Sequence, residues 1–173
     1  MTVTSAIELF LNQLRELYRA ETQLGVSLQS LATLANHRSL RHMIVRHLVE
    51  IDRQKERIEK IFLRYDIAPP SDLSLEMKTL VDGGKAQLST APSVETRDLL
   101  LIVHCLRIEQ YEMSAYEITA RLAEQLGLLA EAEMLAECLA ERDASAEILK
   151  KLQTEILRLA FPTEIAPKPI FQD

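Results

Sequence analysis

Four glutamates stand where apolar residues belong. In LNQLRELYRAETQL, residues 11–24, the helical stripe Phe10, Leu14, Leu17, Leu24, Leu28 and Leu31 is interrupted at Glu21. Glu50 interrupts a stripe of Met43, His47, Gln54, Ile58 and Ile61. Glu109 falls among Leu99, Ile102, Leu106, Met113, Tyr116 and Ala120, with Glu112 one turn further. Glu141 falls among Met134, Cys138, Ile148 and Leu152. A carboxylate on a buried helix face is costly unless something compensates it. One such glutamate from each of four helices is the ligand plan of a carboxylate-bridged two-metal site. Hard divalent or trivalent ions prefer these oxygen donors. Without cations, converging carboxylates raise one another's pKa; with cations they are neutralised in place.

The elements that must position these residues are long helices. Proline is confined to residues 69–70, 92 and 162–169, so the stretches between carry no helix breaker. The first helix is expected from a cap at Thr4 or Ser5 to about Ala35, and the second from a Ser39 cap to about Tyr65, ended by Pro69-Pro70. The connector that follows holds one short helix at about 73–82, before Gly83-Gly84, or resuming to Leu88. A Ser93 cap opens a helix over about 94–126, Gly127 closes it, and a last helix covers about 128–160. Two hairpins joined by one long connection make a ferritin-like, all-α four-helix bundle of two antiparallel hairpins, whose connector carries a short extra helix; the alternative is a plain up-down bundle with the connector wandering outside. An internal echo supports the pairing: LVEID at 48–52 and LAERD at 139–143 each lie on the second helix of a hairpin. Residues 1–160 are thus read as the bundle and 161–173 as an extended proline-rich tail.

Composition excludes other classes. The chain has 173 residues, 47% of them hydrophobic and 27% charged, as expected of a water-soluble domain with a real core. A formal charge of −6 and the lack of a basic tract argue against nucleic acid as a partner. No long apolar run suggests a membrane span or a leader. Cys105 and Cys138 read as small buried thiols in a reducing cytoplasm. A homodimer is expected, since the core is short of aromatic residues and the tail carries spare apolar ones.

The segments ELYRAETQL, HLVEIDRQKERIEKIF, EQYEMSAYEITARLAEQLG and ECLAERDASAEILKKL resemble the bacterial ferritin-like YciE/YciF family, DUF892, over about residues 5–155. The resemblance implies a ferritin-like bundle, often dimeric, associated with stress responses. Carried over residue by residue, it implies Glu21, Glu50, Glu109, Glu112 and Glu141 as metal ligands. Two metal ions are implied, iron first and manganese second. Glu109 and Glu112 resemble the Glu-x-x-Glu of rubrerythrin-like proteins, in which the extra carboxylate can switch onto one metal. The Glu-x-x-His of ferritin-like catalysts is absent, because Arg53 and Ala144 stand three residues after Glu50 and Glu141. His47 and Gln54 are left as weak ligands or orienting neighbours. Tyr18 is read as orienting a carboxylate or packing in the core, and Tyr111 and Tyr116 as core packing. The expected function is a dimetal stress-response protein that reacts with oxygen or peroxide, or oxidises ferrous iron. The alternative is a non-catalytic structural bundle that retains a vestigial site.

Overall fold

The structure, a computed structural model, describes residues 5–161; the tail expected over 161–173 lies outside these residues except for Phe161. Among the described residues there are five helices and no strand: α1 (Ala6–Leu34), α2 (Arg38–Arg64), α3 (Leu75–Leu88), α4 (Val94–Gln125) and α5 (Leu129–Ala160). The all-α bundle of two hairpins is as the sequence implied.

Most helix ends follow local chemistry. The hydroxyls of Ser5, Ser74 and Ser93 accept from the amides of Glu8, Met77 and Thr96, capping α1, α3 and α4. The turn from α4 to α5 uses Gly127 at φ +73°, with Leu128 N–H donating to Ala123 at 2.9 Å and Gly127 N–H to Glu124 at 3.0 Å. The same motif ends α2, where Asp66 takes the left-handed position at φ 52° and Ile67 N–H donates to Phe62. That stop comes before Pro69-Pro70.

Two local expectations need correction. Ser39 does not cap α2; the helix begins at Arg38. The free amides of the α1–α2 turn are met from across the bundle instead. Asp98 of α4, buried, accepts from the amides of Asn36 and His37 at 2.8 Å each. Nor do the two glycines divide α3, which runs unbroken to Leu88. Gly84 is needed there for close approach: a Cβ would lie 2.1 Å from Nδ1 and Cε1 of the buried His104 ring.

Cross-bundle pairs set the directions. Arg64–Glu131, Arg57–Glu141 and Arg46–Ser145 show α2 antiparallel to α5. Tyr116–Glu21 and Asp98–Asn36 show α1 antiparallel to α4. With both hairpins antiparallel, α2 and α4 therefore point the same way, so the connection between them must travel back along the bundle. That is why it is long, and α3 makes the journey packed on α1 and α4.

The core has two apolar halves. One gathers Leu24, Leu28, Leu31, Ile51, Met77, Ile102 and Leu149 with their neighbours. The other gathers Phe10, Leu14, Leu17, Ile58, Phe62, Tyr116, Leu135 and Cys138. Both cysteines are free and buried, as expected. Between the halves, on all four long helices, lies a buried polar layer: Glu21, His47, Glu50, Gln54, Glu109, Glu112 and Arg142. Among the described residues no helix is long and apolar enough to cross a membrane.

Candidate metal centre

Each long helix delivers its polar residues to mid-bundle by the phase of its apolar stripe. On α1, Glu21 follows Leu17 and precedes Leu24, so it must point inward with them. His47, Glu50 and Gln54 lie one above another on the inner face of α2, and Glu109 and Glu112 do so on α4. These four glutamates are buried, as their stripes implied.

The contribution of α5 differs from the expectation. Its inner face runs Leu135, Cys138, Arg142, Ser145, Leu149, Leu152 and Ile156. Arg142 is fully buried, whereas the Glu141 side chain keeps 26% exposure. Glu141 is brought to the α2–α5 seam, where Arg57 grips it with two donors at 2.8 and 2.9 Å and Gln54 Nε2 donates at 3.0 Å. Its burial is outweighed by these donors, which hold the carboxyl below its ordinary value. The structure therefore does not bring Glu141 to the other glutamates, and the stripe assumed for this helix is one residue out of phase.

Arg142 takes the central place. Its guanidinium pairs closely with Glu50 Oε2 and lies 3.5 Å from Glu109 Oε2 and 3.9 Å from Glu112 Oε2. Burial works against its charge, yet Glu112, Glu109, Glu21 and Glu50 hold its pKa above the ordinary value. Ser145 Oγ lies 3.4 Å from Glu50 Oε2, and Arg46 Nε lies 3.2 Å from Oε1.

The imidazole of His47 sits between two carboxylates. Nδ1 is 3.4 Å from Glu109 Oε1, and Nε2 is 3.4 Å from Glu112 Oε2. Burial first, then the charge of Arg142, pushes its pKa down to about 4, so the ring is neutral near neutral pH. A neutral imidazole is the form that ligates metal. Glu21 accepts from the Tyr116 hydroxyl at 2.5 Å through Oε1, while Oε2 is buried with no hydrogen-bond partner. Both oxygens of Glu112 are likewise buried without one. Burial holds Glu21, Glu109 and Glu112 above the usual carboxylate range, helped at Glu21 by the charge of Glu112.

Of the tyrosines, Tyr116 orients a carboxylate, which the packing expectation missed. Tyr18 does not touch the centre; its hydroxyl donates to Glu59 at 2.6 Å. Gln54 serves the Arg57–Glu141 pair rather than the centre.

The donor set can be tested against a metal. One ligand atom each from His47, Glu109 and Glu112 lies within 4.8 Å of the others, and all three residues are buried. One nitrogen and two carboxylate oxygens, with neither Glu112 oxygen in a hydrogen bond, fit one divalent ion. The space beside them, bounded by Glu50, Glu109 and Glu112, is filled by the Arg142 guanidinium.

Four long helices in two hairpins around a buried carboxylate layer define a ferritin-like bundle. The chain belongs to the family described as a domain of unknown function, DUF892, which matches residues 5–161. It is 30% identical to protein YciF of Escherichia coli (strain K12) over 151 residues, covering 84% of this chain and 88% of that protein. The crystal structure of the E. coli stress protein YciF aligns with a TM-score of 0.85 at 28% identity, over 90% of this chain and 99% of that one. The fold is also that of YcfI, a putative structural protein from Rhodopseudomonas palustris, with a TM-score of 0.82 at 24% identity, over 86% of this chain and 94% of that one.

Proposed function

We propose that this chain is a stress-response metalloprotein that holds a single divalent transition-metal ion, iron first and manganese second, on His47, Glu109 and Glu112. The observation that carries the reading is an excess of buried carboxylates over buried cations; burial drives three of these carboxylates to hold their protons until a cation displaces them. Four buried glutamates, Glu21, Glu50, Glu109 and Glu112, face one buried guanidinium, with Arg46 reaching only Glu50 from the edge. Arg142 compensates the side of the layer nearest Glu50. The His47 side carries two carboxylates, a neutral imidazole and orphaned oxygens, and a divalent ion there supplies the missing charge.

This differs from the two-ion centre that counting one glutamate per helix implied, because α5 presents a cation where a fourth ligand was expected. Bound iron would supply electrons for the reduction of oxygen or peroxide. The chain's own residues bind and shape the centre. Arg142 draws Glu109 and Glu50 together, and the Tyr116 hydroxyl fixes the rotation of Glu21. The two apolar halves of the core keep bulk water from both sides of the layer.

A second reading, a non-catalytic bundle, is favoured by Arg142 itself, which already pairs with part of the layer. Metal-linked melting separates the two. Under anaerobic conditions Fe²⁺ or Mn²⁺ should raise the melting temperature of the wild type, by the equivalent of about 2.7 kcal/mol at a hundredfold excess over Kd. Glu109→Gln and Glu112→Gln should each lose most of that rise. A wild type whose melting temperature ignores both ions would overturn the metal reading and leave the bundle as a structural module.

A further inference from the structure

The bundle is not equally closed on all sides. Between α1 and α2 a groove of about 460 Å³ opens to solvent, with Glu21 among its lining residues. Glu21 is 1% exposed and belongs to the buried layer, yet it borders this groove. One of its oxygens is tied to Tyr116; the other is buried and unpaired. On its inner side it feels the charge of Glu112. Glu21 is thus the one carboxylate of the layer that also lines the groove.

Gly25, one turn beyond Glu21 on the same face of α1, lines the groove. Packing does not demand this glycine. A Cβ there would meet Ile51 Cγ2 at 3.6 Å, an ordinary contact. Glycine inside a helix costs about 1 kcal/mol relative to alanine, and a side chain larger than alanine here would narrow the groove that Glu21 lines. At the rim Asp52 is exposed, and Val26 and Val49 form the shoulders. Lys55 also lines the groove; its ammonium lies 5.3 Å from the Tyr18 ring centroid, and its charge reaches Glu21.

We infer that the α1–α2 groove is the entry route by which a divalent cation reaches the buried centre, with Asp52 attracting it at the rim and Glu21 passing it to Glu112. The inference rests on the single-metal reading and adds its port. A route predicts a kinetic effect without an equilibrium one. Gly25→Leu would fill the groove. Val26→Trp would roof it from a position that is 68% exposed. Gly83→Leu is the matched control, a helical glycine on α3 with nothing within 4 Å of its Cβ position.

Chelator-stripped full-length proteins would be mixed with CoCl₂ in a stopped-flow instrument and followed by the visible absorption of bound Co²⁺. Final occupancy would be read by equilibrium dialysis. Gly25→Leu and Val26→Trp should load about tenfold more slowly or worse, with final occupancy as in the wild type. Asp52→Asn should show a smaller slowing that salt abolishes, and Gly83→Leu should load at the wild-type rate. Wild-type rates in both Gly25→Leu and Val26→Trp would overturn the route while leaving the metal centre standing. No Co²⁺ uptake by the wild type would overturn the centre itself and the route with it.

Discussion

Helices α2 and α5 carry the same short pattern at the same level of the bundle, and they use it differently. LVEID turns Glu50 inward, while LAERD turns Glu141 toward the seam and Arg142 inward. The outcome is a carboxylate on one side of the layer and a guanidinium on the other, paired with each other. Had α5 followed α2 in phase, five glutamates would have met with no resident cation. A repeat in sequence therefore does not impose a repeat in helix phase. A rotation of one residue, about 100°, puts a guanidinium where the in-phase helix would put a carboxylate, and this is why the proposed centre holds one metal ion rather than two.

The contrast breaks most severely at Arg142. Replacement by Met leaves buried carboxylates without their cation. It should cost about 3–5 kcal/mol in urea unfolding of metal-free protein, with a larger gain on adding Mn²⁺ than the wild type shows. Near-wild-type stability without metal would mean that the guanidinium is not what holds the layer together.

The two buried histidines sharpen the same point, since only His47 faces carboxylates. His104 packs on Gly84, and neither ring nitrogen has a hydrogen-bond partner. Burial pushes its pKa down to about 4, so it stays neutral in the fold while the unfolded chain takes up a proton near 6.5. The unfolded state then binds more protons, and this residue withdraws stability as pH falls from 6.5 toward 4. His104→Leu should flatten that part of the stability–pH curve without altering metal-linked melting. His47 contributes in the same sense, so the slope should shrink rather than vanish. An unchanged slope would show that the His104 ring already meets solvent.

The smallest effect is expected at Glu141. Its pairing with Arg57 is partly exposed, so Glu141→Gln should cost no more than about 1 kcal/mol and leave metal content unchanged. Loss of metal in that variant would place Glu141 among the ligands after all, and the asymmetry of the two helices would fall with it.

What was legible in the sequence follows from how many readings each helix allowed. On α1 the leucines admit one phase, and Glu21 comes inward with them. On α4 the run Leu99 to Val103 blurs the phase. The buried face passes through Leu101, Cys105 and Ile108 where Leu99, Leu106 and Met113 were expected, yet Glu109 and Glu112 still fall within it. On α5 two stripes compete, one through Met134, Glu141 and Ile148, the other through Leu135, Arg142 and Leu149. Cys138 and Leu152 belong to both. The longer run of the second, which continues to Ile156 at alternating steps of three and four, was the available signal. A charged residue inside that run disguised it. Other features could not be read locally at all. Asp98 replaces a cap for a turn 62 residues away, and His104 explains a glycine that otherwise looks like a helix breaker. Both are contacts across the bundle, and local propensity carries no trace of them.

On the proposed reading, one metal ion sits beside a resident guanidinium. The most direct test is the metal-to-protein ratio of wild type and Arg142→Glu after anaerobic loading with Mn²⁺ and removal of free ion. About one ion per chain is expected in the wild type, and a second only when Arg142 gives way to a carboxylate. Two ions in the wild type, or none in either protein, would contradict it.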